Sequence, residues 1–171
     1  FWLEAQEFLF YVLRQDSPKD HSAVAFDLNQ YPNQIDGLVV QSYEVGADGT
    51  LSGYVNKDML DYAHQHHLKI FAMVTNTGFA SKKVQAFLND ENAQDLALQV
   101  LVEECKQQKL TGLQFDFENI PEQEKFQLNK FAEKASSLLH TNRCQLSFTL
   151  FPRTSDFPSL RNDYWDLKFK N

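Results

Sequence analysis

Buried strand patterns alternate with amphipathic helix patterns along most of this chain, and this alternation constrains the fold more than any other feature. Near-continuous apolar runs predict buried strands, and apolar residues at i, i+3, i+4 and i+7 predict helices. The clearest helix carries its apolar residues between Ala93 and Cys105. The predicted strands span residues 8–14, 35–43, 69–75, 110–118 and 145–151. Their centres recur about every 30 to 40 residues, which is the length of one βα unit.

Two folds produce this rhythm, a (β/α)8 barrel and a doubly wound parallel sheet. No glycine-rich phosphate loop follows a predicted strand, which argues against a doubly wound nucleotide-binding domain. A barrel usually takes about 250 residues, whereas this chain has 171 residues and begins with Phe1 rather than Met. We therefore expect a trimmed or partial product. Residues 1–171 should form a single partial α/β domain of (β/α)8 TIM-barrel type, with only the first five βα units.

Charge and hydropathy exclude several kinds of partner. The net charge is −7, and Lys and Arg form no run, which argues against nucleic acid or an anionic membrane as the main partner. No stretch approaches about 18 consecutive apolar residues, so no membrane-spanning segment is expected. A five-unit barrel would expose its first and last strands, and the chain could associate through these open edges.

The cysteines and histidines suggest little chemistry. Cys105 continues an apolar helical row, which is typical of an inert buried thiol, although a bridge to Cys144 is an alternative. His64 and His67 lie one helical turn apart, as metal ligands can. No cysteine or carboxylate completes a set there, and histidines suit the end of a helix. We expect no metal and no organic cofactor.

The predicted strand at 110–118 places two carboxylates in an apolar setting. Because side chains alternate along a strand, Gln114, Asp116 and Glu118 should share one face, opposite the apolar residues. In a barrel that face lines the interior, and Glu118 would lie nearest the carboxyl-end rim, where barrel enzymes carry their chemistry. Two close carboxylates should raise the pKa of one of them, which suits a general acid for glycoside cleavage.

The same residues resemble a known family. The segment GLQFDFEN is similar to the fourth-strand signature Asp-Gly-x-Asp-x-Asp-x-Glu of glycoside hydrolase family 18, the chitinase-like (β/α)8 enzymes. The family's glycine, last aspartate and catalytic glutamate fall on Gly112, Asp116 and Glu118. Thr111 and Gln114 depart from the signature, and bacterial members often carry an amide where Gln114 stands. The following segment to His140 and LSFTLFPRT also resemble bacterial members, so the likeness covers most of the chain.

The resemblance implies a glycosidase acting on β-linked N-acetylglucosamine polymers of the chitin or peptidoglycan type. Glu118 would be the acid/base, and Asp116 would stabilise the substrate's acetamido group. The missing sixth- and eighth-strand residues would lie beyond Asn171. The family also favours a secreted, periplasmic or cell-envelope location. Alternatives are a catalytically inactive sugar-binding barrel and an unrelated doubly wound domain.

Other candidate residues lie near the carboxyl ends of predicted strands, where side chains can contact a sugar. The two tyrosines among them could equally be core residues, and Gln114 could be either a buried structural amide or a supporting group. Asp116 and Glu118 could also be solvated residues at a strand end. The candidate substrate-binding or supporting residues are Gln114, Tyr11, Tyr43, Asn76 and Arg153.

Overall fold

The computed structural model describes residues 7–13, 28, 30 and 34–150. Within these residues, six strands form one sheet in the order β1-β2-β4-β5-β6, with β3 paired to β2. The β2–β3 pair is an antiparallel hairpin, and the other pairs are parallel. The strands are β1 Leu9–Val12, β2 Gly37–Val45, β3 Leu51–Gly53, β4 Lys69–Asn76, β5 Gly112–Asp116 and β6 Gln145–Phe148.

Four α-helices connect the parallel strands in the described part of the chain. Two of them begin at side-chain caps: Asn56 accepts from the backbone N–H groups of Asp58 and Met59, and Asp90 accepts from those of Asn92 and Ala93. Such caps satisfy backbone donors that have no partner inside the helix. The helices are α1 Lys57–Gln65, α2 Ser81–Leu88, α3 Glu91–Gln107 and α4 Lys125–Thr141.

The main core lies between one face of the sheet and the helices. Leu113 and Phe115 of β5 are almost completely buried there, and the Phe115 ring packs edge-on against Phe131 of α4 with centroids 5.1 Å apart. All four helices contribute buried residues to this core. The opposite face carries a much smaller apolar cluster of Val39, Phe71 and Met73.

The order of the parallel strands settles the choice of fold. These strands follow one another in the sheet in chain order, and the helices between them pack on the same face. A doubly wound domain reverses its strand order and covers both faces with helices, so that alternative is wrong. The chain has the α/β architecture of a (β/α)8 TIM-barrel type, and its five parallel strands correspond to successive βα units.

Most predicted elements are present, with shifted ends. Asp48 and Gly49 lie in the turn between β2 and β3, and Gly49 has a positive φ of 81°. A Cβ there would lie 2.1 Å from the Ala93 carbonyl oxygen, so a side chain would strain this turn. The sequence patterns did not predict the short strand β3 or helix α2. The strand predicted at residues 110–118 ends at Asp116, which leaves Glu118 in the following loop.

A disulfide joins Cys105 at the end of α3 to Cys144 just before β6, with their Cα atoms 6.4 Å apart. The expectation of an inert free thiol at Cys105 is wrong. The apolar helical row did place this side chain in the core, and it is 4% exposed there beside Cys144 at 1%. Helical periodicity detects burial, but it cannot detect which residue of another element lies opposite. No helix in the described ranges is both long enough and apolar enough to cross a membrane.

Candidate active site

Polar residues occupy the inner face at the carboxyl end of β5. Leu113 and Phe115 point into the helix-side core, so Gln114 and Asp116 lie on the opposite face. Phe117, just past the strand, also joins the helix-side core. Glu118, the next residue, therefore lies on the same face as Asp116. The structure therefore brings the two candidate carboxylates together at the rim where parallel strands end.

The pKa values of both carboxyl groups are raised. Burial raises the pKa of Asp116, and a weaker polar contact from Thr149 acts in the opposite direction. Burial also raises the pKa of Glu118, and the negative charge of Asp116 adds to this effect. Desolvation and a like charge both disfavour ionisation. The pair is therefore shifted toward retaining a proton, as a general acid requires.

Asn76 at the end of β4 contacts the backbone of Glu118 with both ends of its side-chain amide. Its Oδ1 accepts from the Glu118 N–H at 2.9 Å, and its Nδ2 donates to the Glu118 carbonyl at 3.3 Å. Asn76 is only 1% exposed. The expectation that Asn76 contacts a sugar is not supported by this placement, because its side chain is buried and directed at the protein backbone.

Two residues in left-handed backbone conformations flank this arrangement. Asn119 follows Glu118 with a φ of 55°, and Phe79 follows β4 with a φ of 50°. The Asn119 Nδ2 donates to the Phe79 carbonyl at 2.9 Å. Asparagine tolerates this conformation, whereas it is strained for a bulky residue, and such strain concentrates at functional sites. An open pocket of about 540 Å³ lies between the two loops, lined by Phe79, Ser81 and residues 119–123.

Gln114 lies deeper on the inner face, with 5% exposure. Its Nε2 donates to the Tyr11 hydroxyl and to the Ser147 hydroxyl, both at 3.0 Å. Its Oε1 is buried without a hydrogen-bond partner in the described structure. Tyr11 and Gln114 therefore lie together on the side of the sheet that carries Asp116. An unpaired buried acceptor is costly, so this oxygen is suited to receive a donor from a ligand or water.

Tyr43 lies away from these residues. It packs in the helix-side core, and its hydroxyl donates to Glu104 of α3 at 2.6 Å. Burial, followed by the contact with Glu104, raises the Tyr43 pKa far above its ordinary value. This placement fits the alternative that Tyr43 is a core residue, because a register shift between Gln41 and Tyr43 inserts one residue and reverses the alternation of side chains.

The same bulge places the carboxylate of Glu44 on the inner face. The sequence patterns did not single out this residue. Val45 and Tyr43 belong to the helix-side core, so Glu44 between them lies on the other face. Glu44 is in register with Thr75, and Thr75 is in register with Asp116. Thr149 and Ser147 also contribute polar groups beside β5. Ser147 and Thr149 alternate with apolar residues in the segment QLSFTLF, and this alternation could have predicted that they share the inner face.

One candidate is not described by the structure, and the two histidines do not join the site. Arg153 lies outside the described residues. The His64 ring lies 3.3 Å from the Lys109 carbonyl at the end of its helix, and His67 has the positive φ of 57° common just past a helix end. Among the described residues, no group of three or more His, Cys, Asp or Glu side chains could hold a metal ion.

Comparison with known proteins finds that the chain is similar to cortex-lytic enzymes and chitinases. No protein-family model matches the chain. The cortical fragment-lytic enzyme of Bacillus subtilis (strain 168) is 25% identical over 117 residues, which are 67% of this chain and 27% of that protein.

Solved structures share the fold over most of the chain. The spore cortex-lytic enzyme SleL of Bacillus megaterium QM B1551 matches with a TM-score of 0.80 and 26% identity, over 92% of this chain and 37% of that one. A class V chitinase from Pseudomonas fluorescens Pf-5 matches with a TM-score of 0.78 and 19% identity, over 89% and 47% of the two chains. The chain thus has a glycoside hydrolase-like fold and spans less than half the length of these relatives.

Proposed function

We propose that residues 1–171 form the first five βα units of a glycoside hydrolase family 18 catalytic domain. The complete domain would hydrolyse β-linked N-acetylglucosamine polysaccharide of the chitin or peptidoglycan type. Two kinds of relative support this substrate class, the cortex-lytic enzymes and the chitinases. The motif of β5 and its position at the carboxyl-end rim support the family.

The observation that carries the proposal is the pair Asp116 and Glu118. Both carboxyl groups lie on the inner side of the rim, and both have raised pKa values. Glu118 is the general acid, because it lies farther out along the chain, beyond the end of the strand, where a glycosidic oxygen can reach it. Asp116 is more deeply placed and stabilises charge that develops on the substrate.

The position of the two carboxylates also favours a particular mechanism. A retaining glycosidase with its own nucleophile needs two carboxyl groups about 5 Å apart on opposite sides of the sugar. Asp116 and Glu118 project from the same side of one chain segment, so neither is placed to attack the anomeric carbon from the opposite face. We propose that the substrate's acetamido oxygen attacks instead, while Glu118 transfers its proton to the leaving oxygen as the glycosidic bond breaks. Water then attacks the anomeric carbon and displaces the acetamido oxygen, while Glu118 takes a proton from that water.

Inner-face groups would support these two residues. Gln114 stands where the family signature carries an aspartate, and its amide is held by the hydroxyls of Tyr11 and Ser147. As a neutral residue it cannot share a proton in the way that a second aspartate could. We propose that Gln114 fixes the hydroxyls of Tyr11 and Ser147 on the inner face. Asp116 then titrates without an acidic partner at position 114.

The test is hydrolysis of chitin oligosaccharides and peptidoglycan fragments by the intact natural protein. We expect turnover by the natural protein and a loss of at least about 100-fold in Glu118→Gln, since general-acid catalysis contributes on that order. Binding of the oligosaccharide should survive, because glutamine keeps the size and hydrogen-bonding capacity of the side chain. Binding without turnover in the natural protein would instead indicate a sugar-binding barrel.

A further inference from the structure

Glu118 lies beyond the part of β5 that the sheet holds in place. The last registered pair between β4 and β5 is Thr75 with Asp116, and β5 ends at Asp116. Among the described strands, therefore, none fixes the backbone at Glu118 by a hydrogen bond. An acid must be held within a fraction of an ångström of the productive geometry, so something else has to hold this backbone.

The Asn76 side chain replaces those missing hydrogen bonds. An asparagine amide presents a carbonyl and an N–H group side by side, like a peptide group. Here the carbonyl accepts from the Glu118 N–H at 2.9 Å, and the amide nitrogen donates to the Glu118 carbonyl at 3.3 Å. Both polar groups of the Glu118 backbone are thus paired with one side chain.

The segment that follows Asn76 is itself anchored on both sides. The Thr77 hydroxyl donates to the Val45 carbonyl of β2 at 2.9 Å, and the Phe79 carbonyl accepts from Asn119. Asn119 is the neighbour of Glu118, so the loop after β4 holds the loop after β5 at two successive residues. Burial of Asn76 strengthens its hydrogen bonds, because water cannot compete for them.

From these contacts we infer that Asn76 is a positioning residue for Glu118, which acts by fixing the backbone from which the acid projects and never touches the substrate. The inference rests on the proposed role of Glu118 as the general acid. Releasing the backbone should leave Glu118 present but poorly aimed at the leaving oxygen. Because misplacement by about 1 Å can cost about 100-fold in rate, we expect a defect in proton delivery rather than in substrate binding.

The test uses Asn76→Ala in the intact natural protein with two substrates of the same sugar. One is an N-acetylglucosamine oligosaccharide, whose leaving group needs a proton, and the other is a nitrophenyl glycoside, whose leaving group does not. We expect kcat on the oligosaccharide to fall by about 10- to 100-fold with KM nearly unchanged. On the nitrophenyl glycoside, kcat should fall by less than about threefold. In a Glu118→Gln background, Asn76→Ala should lower kcat on the oligosaccharide no further.

Gln94→Ala is the matched control. Gln94, near the start of α3, is also a buried amide, at 5% exposure, and it donates two hydrogen bonds to the carbonyls of Phe87 and Leu88 at the end of α2. Its loss should affect stability but not the ratio of the two rates. Equal losses on both substrates in Asn76→Ala, or full activity on both, would overturn the positioning role. No turnover of either substrate by the natural protein would instead contradict the proposed function itself.

Discussion

The Gln114 side-chain amide donates a hydrogen bond to the Tyr11 hydroxyl, with an N···O distance of 3.0 Å. Tyr11 lies on β1 and Gln114 on β5, and β2 and β4 lie between them. In a flat sheet, three spacings of about 4.8 Å would separate these strands by about 14 Å. The two side chains meet because the sheet curls toward its inner face, as the wall of a barrel does.

We predict that Tyr11→Phe lowers the stability of the protein. The substitution removes one hydrogen-bond partner of a buried amide and leaves the Ser147 hydroxyl as the other. The expected loss is about 1 kcal/mol, the typical net contribution of one such bond. Urea unfolding of the intact protein measures this loss as a lower transition midpoint with an unchanged slope.

Tyr62→Phe is the control for that experiment. The Tyr62 hydroxyl is buried and has no hydrogen-bond partner among the described residues, so its removal should leave the midpoint unchanged or raise it slightly. A larger loss in Tyr62→Phe than in Tyr11→Phe would contradict this account of the inner face.

Local patterns in the sequence predicted the parallel strands, the inner-face position of Asp116 and the polar rim. These features depend on side-chain periodicity, which is a property of each segment alone. The position of Tyr43 could not be predicted in this way, because one extra residue at the β2 bulge reverses every later side chain without changing the local pattern.

The contact between Asn76 and Glu118 was not predicted, and the disulfide was predicted only as an alternative, for a different reason. Each depends on a contact between segments that are distant in sequence: Asn76 with Glu118, and Cys105 with Cys144. Residue type and spacing show that a side chain can form such a contact. The partner follows only from the way the strands and helices are arranged.

The disulfide should stabilise the chain substantially. It closes a loop with a sequence separation of 39 residues, for which the chain-entropy relation gives about 4 kcal/mol. We predict that a Cys105→Ala/Cys144→Ala variant unfolds at a clearly lower urea concentration than the oxidised natural protein. Dithiothreitol should lower the midpoint of the natural protein and leave that of the variant unchanged. A midpoint insensitive to both changes would show that the bridge does not form. That result would also remove the argument from the bridge for an oxidising compartment.

Asp116 should make stability depend on pH. Its pKa is raised in the folded protein above the ordinary value of 3.8, so the folded state binds this proton more tightly than the unfolded state. The resulting stabilisation is fully present below pH 3.8 and is lost as the pH rises through the folded pKa. Asp116→Asn cannot ionise and should therefore unfold at a higher urea concentration than the natural protein at neutral pH.

The gain in Asp116→Asn should shrink as the pH is lowered toward the ordinary pKa of an aspartate. Glu122→Gln removes a negative charge from an exposed position in the loop after β5 and controls for the change in net charge. Turnover by Asp116→Asn should fall in the same preparation, as expected for a site that trades stability for activity. A stabilisation that is equal at acidic and neutral pH would contradict burial of the ionised carboxylate as its cause.

The proposed mechanism makes the substrate's acetamido group essential. Asp116 and Glu118 project from the same side of one chain segment, so neither is placed opposite the other, as an enzyme-borne nucleophile would have to be. We predict that the intact protein cleaves an N-acetylglucosamine oligosaccharide with retention of the anomeric configuration. The deacetylated and 2-hydroxy counterparts, which lack the attacking oxygen, should be cleaved at least about 100-fold more slowly, since a well-placed intramolecular group contributes at least that much.

Proton NMR of the first product formed reports the configuration, and release of reducing ends reports the rates. Comparable cleavage of all three oligosaccharides, or an inverted product, would rule out attack by the acetamido oxygen while leaving Glu118 as the acid.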